Sequence, residues 1–174
     1  MSKIYIVLTY SGTVLSKLVK IYTQKEYSHV SLALDENLNQ MYSFGRLNPY
    51  VPFWAGFVHE SPNYGTFKRF KKTKTKIYSL DIDERQYEKI IQTIKKIDLE
   101  KEKYSFNILG LFAVALKVKV KREKCFYCAE FVKYVFDNSN LEIELPELIK
   151  PEDFAEIEGS QEIYTGVLRE YKMQ

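Results

Sequence analysis

In Ser28-His29-Val30-Ser31-Leu32-Ala33-Leu34, apolar and small polar residues alternate from His29 onward, the period of a β-strand. Asp35-Glu36-Asn37 supplies a turn, and Gln40 to Phe44 returns as the second arm of a hairpin. Upstream, Lys3 to Thr9 is a short apolar run that suits a buried strand. It ends at the loop Tyr10-Ser11-Gly12-Thr13, after which Val14, Leu15, Leu18, Val19 and Tyr22 fall on one face at helical spacing.

Downstream, Gly45 to Tyr64 mixes Pro49, Pro52, Pro62 and Gly56 with Tyr50, Phe53, Trp54 and Phe57. This composition predicts an irregular aromatic loop, a kind of segment that usually covers something. Thr66 to Ile82 reads as strand-like, with a break near Lys71 to Lys74. Glu84 to Ile97 is an amphipathic helix with Tyr87, Ile90, Ile91, Ile94 and Ile97 on its inner face. Asn107 to Leu116 is apolar nearly all round and predicts a buried helix; Lys117 to Lys124 alternates Val with Lys and predicts an exposed link. Tyr127 to Phe136 is helical, with Cys128 in its first turn, and Ile163 to Tyr171 reads as a last strand. Helices and strands alternate too poorly for a parallel sheet, so residues 1–174 read as one domain of α+β class.

Bulk composition narrows the function. Of 174 residues, 45% are hydrophobic and 28% charged, the balance of a soluble globular protein. The net charge of +3 creates no field that marks a nucleic-acid binder. Six of the nine residues from Lys68 to Lys76 are Lys or Arg; with Phe70 and Ile77 as buried partners, the tract reads as a solvated strand edge that blocks unwanted pairing. The apolar run Ile4 to Leu8 is too short for an export signal, and no stretch reaches the length of a membrane span. These features predict a cytoplasmic protein whose two cysteines stay reduced.

Cys125-Phe126-Tyr127-Cys128 has CxxC spacing, but structural zinc needs four ligands and the chain offers only His29 and His59 besides, at a spacing that fits no finger. Dithiol redox chemistry expects the motif after an early strand, whereas this one opens a late helix. Cys125 reads more simply as a small apolar filler. Cys128, at a helix start, faces unsatisfied amides and the positive end of the dipole, which favour a nucleophilic thiolate and could receive an oxyanion. A histidine at a strand start completes the parts of a Cys–His pair.

Ser28-His29-Val30-Ser31-Leu32-Ala33-Leu34 and Phe126-Tyr127-Cys128-Ala129-Glu130-Phe131-Val132 resemble the permuted papain-like amidases, relatives of NlpC-type cell-wall peptidases. Tyr42-Ser43-Phe44-Gly45-Arg46 and Pro151-Glu152-Asp153-Phe154 look like the same branch, in which the His strand comes first and the Cys helix last. The resemblance implies a circularly permuted papain-like fold, a small antiparallel sheet with the Cys-bearing helix packed against it. It implies Cys128 as nucleophile and His29 as general base and acid. It puts the third residue, which orients the imidazole, at Ser43, beside Tyr42. A serine supports an imidazolium weakly, and Glu60 or His59 from the aromatic loop could substitute. Tyr10, Ser11 and Glu60 are candidates for substrate contact. The expected activity is thiol-dependent cleavage of an amide or ester in a small peptide, amide or acyl substrate, with no metal or organic cofactor and no nucleic-acid partner. Three rivals remain: a lipid acyltransferase or thioesterase whose acyl tunnel uses Asn107–Leu116 and the aromatic loop, an inactive binding module that keeps the fold, and last a nucleic-acid binder that uses the basic tract Lys68 to Lys76.

Overall fold

A computed structural model describes residues 1–51, 54–115, 118 and 122–171. Strand β1 (Ser2–Tyr10) runs into helix α1 (Val14–Thr23), then β2 (His29–Ala33), β3 (Met41–Arg46), β4 (Ala55–Glu60) and the short helix α2 (Gly65–Arg69). Strand β5 (Lys74–Ile82) leads into the long helix α3 (Glu84–Leu99). A two-residue strand β6 (Ser105–Phe106) precedes α4 (Ile108–Ala115), and its partner β7 (Cys125–Phe126) precedes α5 (Cys128–Asp137). Strand β8 (Ser160–Val167) closes the order.

Six strands form one sheet in the order β4-β3-β2-β1-β5-β8, antiparallel at every step. With its helices this makes the protein α+β. β1 lies inside the sheet and is buried on both sides, which is why it reads as a continuous apolar run. Ile4, Ile6 and Leu8 belong to the larger core, under Ile90, Ile94 and Ile97 of α3 and Phe131, Val132 and Phe136 of α5. Tyr5 and Val7 face the other way, into a smaller core with Phe67 of α2, Met41, Ile77 and Leu168. Helices α1 and α3 start where a side chain satisfies their free amides: Thr13 accepts from Ser16 N–H, and Asp83 and Gln86 form a reciprocal box at α3.

Several expectations change. The predicted aromatic loop 45–64 contains β4, which adds an edge strand to β3 with the register Ser43↔Val58 and Gly45↔Gly56. The basic tract is not a strand edge. Lys68 and Arg69 end α2, Phe70 caps that helix half-buried, and Lys74 and Lys76 lie on β5, which pairs on both sides. Their charge is met locally, Lys74 by Glu26 at 3.1 Å and Lys76 by Glu162 at 3.3 Å. Helix α4 is not buried all round, since Leu109 is 58% exposed. The last strand starts and ends earlier than predicted, at Ser160 and Val167. Half of the Lys117–Lys124 link (117 and 119–121), and the side chains of Val14, Leu15, Leu18 and Tyr22, lie outside the described residues. Among the described residues, no helix is long and apolar enough to cross a membrane.

Candidate active site

Cys128 is the first residue of α5, only 4% exposed, and follows Tyr127 in extended conformation. The helix starts there because Glu130 turns its carboxylate back to accept the Tyr127 N–H at 3.1 Å. Asn107 Nδ2 donates to the same carboxylate oxygen at 3.1 Å, while its Oδ1 accepts the Gly110 N–H at 2.9 Å and caps α4. A side chain at position 110 would strike Asn107, so the glycine is what allows this link. Burial pushes the Glu130 carboxyl up, against the pull of the Tyr127 and Asn107 donors. Tyr127 is anchored from its far end by its hydroxyl, which donates to Ile149 O at 2.9 Å. The two cysteines have separate surroundings: Cys125 Sγ lies 2.9 Å from Ser105 Oγ on the small β6–β7 ladder, and both thiols are free.

His29 opens β2, at the end of the sheet that α5 overlies. Its Nε2 is 3.1 Å from each carboxylate oxygen of Glu60, the last residue of β4. Ser31, two residues along β2, donates a short hydrogen bond to Glu60 Oε2. Glu60 is 8% exposed and His29 22%, so the pair is largely removed from water. The Cys128 thiol lines the same cleft as the ring and acts electrostatically on it. With Nε2 occupied by Glu60, Nδ1 is the nitrogen left for sulfur. Burial works against a charged imidazole, but Glu60 and then Cys128 outweigh it and hold His29 at about 10. Gly45 on β3 makes room for this arrangement: a Cβ there would lie 3.2 Å from His29 Cε1 and 3.3 Å from Glu60 Oε1.

The other sequence candidates lie elsewhere. Ser43 is fully buried and donates to Val30 O at 2.8 Å, so its hydroxyl ties β3 to β2 rather than orienting the imidazole. Tyr42 stacks on Phe57, and His59 bonds Asp98 at 3.1 Å on the outside of the sheet edge. Glu60, ranked behind Ser43 by sequence, is the residue on the ring. Ser43→Ala is therefore expected to cost about 1 kcal/mol of stability through one lost hydrogen bond. Alkylation of Cys128 should stay within about twofold of wild type; a thermal melt and a timed alkylation check both.

The three residues open onto a cleft of about 600 Å3, counting its mouth. Ser11 and Glu60 line it, as do Ser28, Arg46, Phe106 and Leu111. Tyr10 instead packs beside the larger core, under the Lys20 ammonium at 4.8 Å. Sequence reasoning missed Ser28 and Arg46 as site residues, and named the Asn107–Leu116 side of the cleft only for the lipid-acyl rival. Arg46 and Ser28 stood in the two segments that carry the family resemblance, which was the one signal available. Among the described residues, no group of three or more His, Cys, Asp or Glu is placed to hold a metal ion. Compared with protein-family models and with curated proteins, the chain finds no match in either.

Proposed function

We propose that the chain is a thiol-dependent hydrolase or acyltransferase of permuted papain-like type, cleaving an amide or ester with Cys128, His29 and Glu60. The observation that carries this reading is an imidazole held by a buried carboxylate in the cleft that a helix-start thiol also lines. Buried carboxylates are costly unless they are paired, and this one is paired with a histidine that shares its cleft with a sulfur. In the reaction, the Cys128 sulfur attacks the substrate carbonyl carbon as a thiolate, with the proton already held on His29. The carbonyl π electrons move to oxygen, which faces the positive end of α5. As the C–N or C–O bond breaks, the leaving group takes the proton from His29 Nδ1. Water, deprotonated by His29, then attacks the thioester and releases acid and thiol; an acceptor amine or alcohol in place of water gives acyl transfer. Glu60 keeps the ring oriented and stabilises its charged form throughout.

The order of the parts, base first and nucleophile last, supports the permuted branch over the ordinary papain arrangement. The case for an inactive binding module rested on serine as the third residue, and a carboxylate on the imidazole removes that support. Phe106 and Leu111 favour an apolar acyl portion on the α4 side of the cleft.

Alkylation tests the reading. At pH 6, where an ordinary thiol is about 0.3% ionised, iodoacetamide should modify Cys128 at least about tenfold faster than it modifies glutathione. Peptide mapping should find Cys125 unmodified on that timescale. Cys128 reacting no faster than glutathione would overturn the reading.

A further inference from the structure

Arg46 ends β3, one residue past the glycine that lies against His29, and lines the same cleft. Its guanidinium donates to Thr13 Oγ1 at 2.6 Å and lies 5.4 Å from the centre of the Phe70 ring. Among the described residues, no carboxylate pairs with it: Glu60, the nearest acidic group in the cleft, is committed to His29 and Ser31. An arginine carries five N–H donors in a planar fork, and a half-buried one is normally matched to a carboxylate or phosphate.

Structural need does not explain this position. Thr13 already caps α1 through the Ser16 N–H, so the helix gains little from a further bond to that oxygen. The α1 N-terminus carries partial positive charge and no acidic residue in its first turn, so a cation there is electrostatically misplaced. Arg69, which lies 5.5 Å from the same Phe70 ring, adds a second positive charge. Burial, and then Arg69, loosen the hold of Arg46 on its proton, with Glu60 acting in the opposite sense. A separate observation comes from Ser28, on the cleft wall beside His29. Among the described residues, its hydroxyl is the buried side-chain polar group without a hydrogen-bond partner, and Ser28 is only 6% exposed. Buried hydroxyls without a partner are rare and call for an explanation.

We propose that Arg46, the start of α1 and the Ser28 hydroxyl form an anion subsite, so that the acyl substrate of Cys128 carries a carboxylate or phosphate close to the bond that is cleaved. This rests on the Cys–His reading and adds the substrate class: acidic amides or esters. The anion would supply the charge that Arg46 lacks and an acceptor for Ser28. Arg46 then acts as a specificity residue, with no part in the bond-breaking itself.

Iodoacetate and iodoacetamide alkylate sulfur by the same displacement of iodide, transferring carboxymethyl and carbamidomethyl groups of nearly the same shape that differ by one negative charge. In Arg46→Gln, the ratio of the iodoacetate rate to the iodoacetamide rate at Cys128 should fall about tenfold from the wild-type ratio, the worth of one charge-assisted hydrogen bond. Using the ratio cancels any general change in thiol reactivity. A ratio within twofold of wild type, in a variant that melts normally, would overturn the subsite. A second measurement needs no variant: acetate, succinate or inorganic phosphate should slow iodoacetamide labelling of the wild-type protein more than sodium chloride does at equal ionic strength. Stronger protection by phosphate identifies a phosphorylated substrate, and stronger protection by succinate an acidic acyl group. Protection equal to that of chloride would overturn the proposal. The Cys–His reading fails separately, through a slow absolute iodoacetamide rate.

Discussion

Cys128→Ala should lower hydrolysis of an activated ester such as p-nitrophenyl acetate by at least about 10,000-fold, to the rate left by binding and oxyanion stabilisation alone. Cys128→Ser should be nearly as inactive, because an alcohol beside an imidazole charged up to about 10 has no ready base. His29→Ala should match the alanine variant of the nucleophile, and the double variant should be no worse than either, since groups that act as one unit are not additive. The comparison is made on single-turnover rates, with circular dichroism to verify folding. Cys128 is a small side chain at a helix start, so alanine leaves the packing of α5 against the sheet in place. A Cys128→Ala protein that keeps a tenth of the wild-type rate would end the case for a thiol mechanism.

Glu60→Gln should cost about 100-fold or more in the same assay and also change the pH behaviour in a direction that can be worked out. The charge of Glu60 is the largest single influence that raises His29. Without its charge the imidazole drops from about 10 toward its ordinary 6.5, and the alkaline limb of the rate profile moves down with it. Stability moves in the matching sense. A group raised on folding contributes fully below its unfolded value and loses that contribution as pH rises through its folded value. Wild type should therefore lose stability between about pH 6.5 and 10 through His29, and Glu60→Gln should lose less over that window. Buffer-matched thermal melts at the two ends of the window report this, and a parallel decline in both proteins would count against Glu60 as the partner of the ring. Glutamine retains a hydrogen-bonding oxygen, so the variant separates charge from geometry.

Much of this architecture is legible from residue patterns, for reasons that differ by element. β1 announces itself because both its faces are buried, and α3 because its isoleucines recur at helical spacing under a capping box. Cys128 is visible through its place at the start of an amphipathic helix. β4 is hidden because its six residues, Ala55–Glu60, sit inside a stretch dense in Pro, Gly and aromatics that predicts a loop. Losing β4 hides the role of Glu60, since a carboxylate in a loop gives no hint that it lies within reach of a ring on another strand. Ser43 draws attention by following the His strand in sequence. Register decides otherwise: the third strand of the hairpin array, not the second, ends beside His29. The basic tract misleads for a related reason. Its lysines look like an edge until β8, from the far end of the chain, pairs with β5.

The order of the strands has a consequence in time. β1 to β5, with His29 and Glu60 on them, come from residues 2–82, whereas the sulfur arrives at residue 128 on a helix laid over a sheet whose core strands are already specified. The proton-handling half of the site is thus synthesised before the nucleophile. Because Phe131, Val132 and Phe136 of α5 share a core with Ile4, Ile6 and Leu8 of β1, the helix that brings the sulfur also covers the sheet. Completing the core and completing the site are therefore the same docking event.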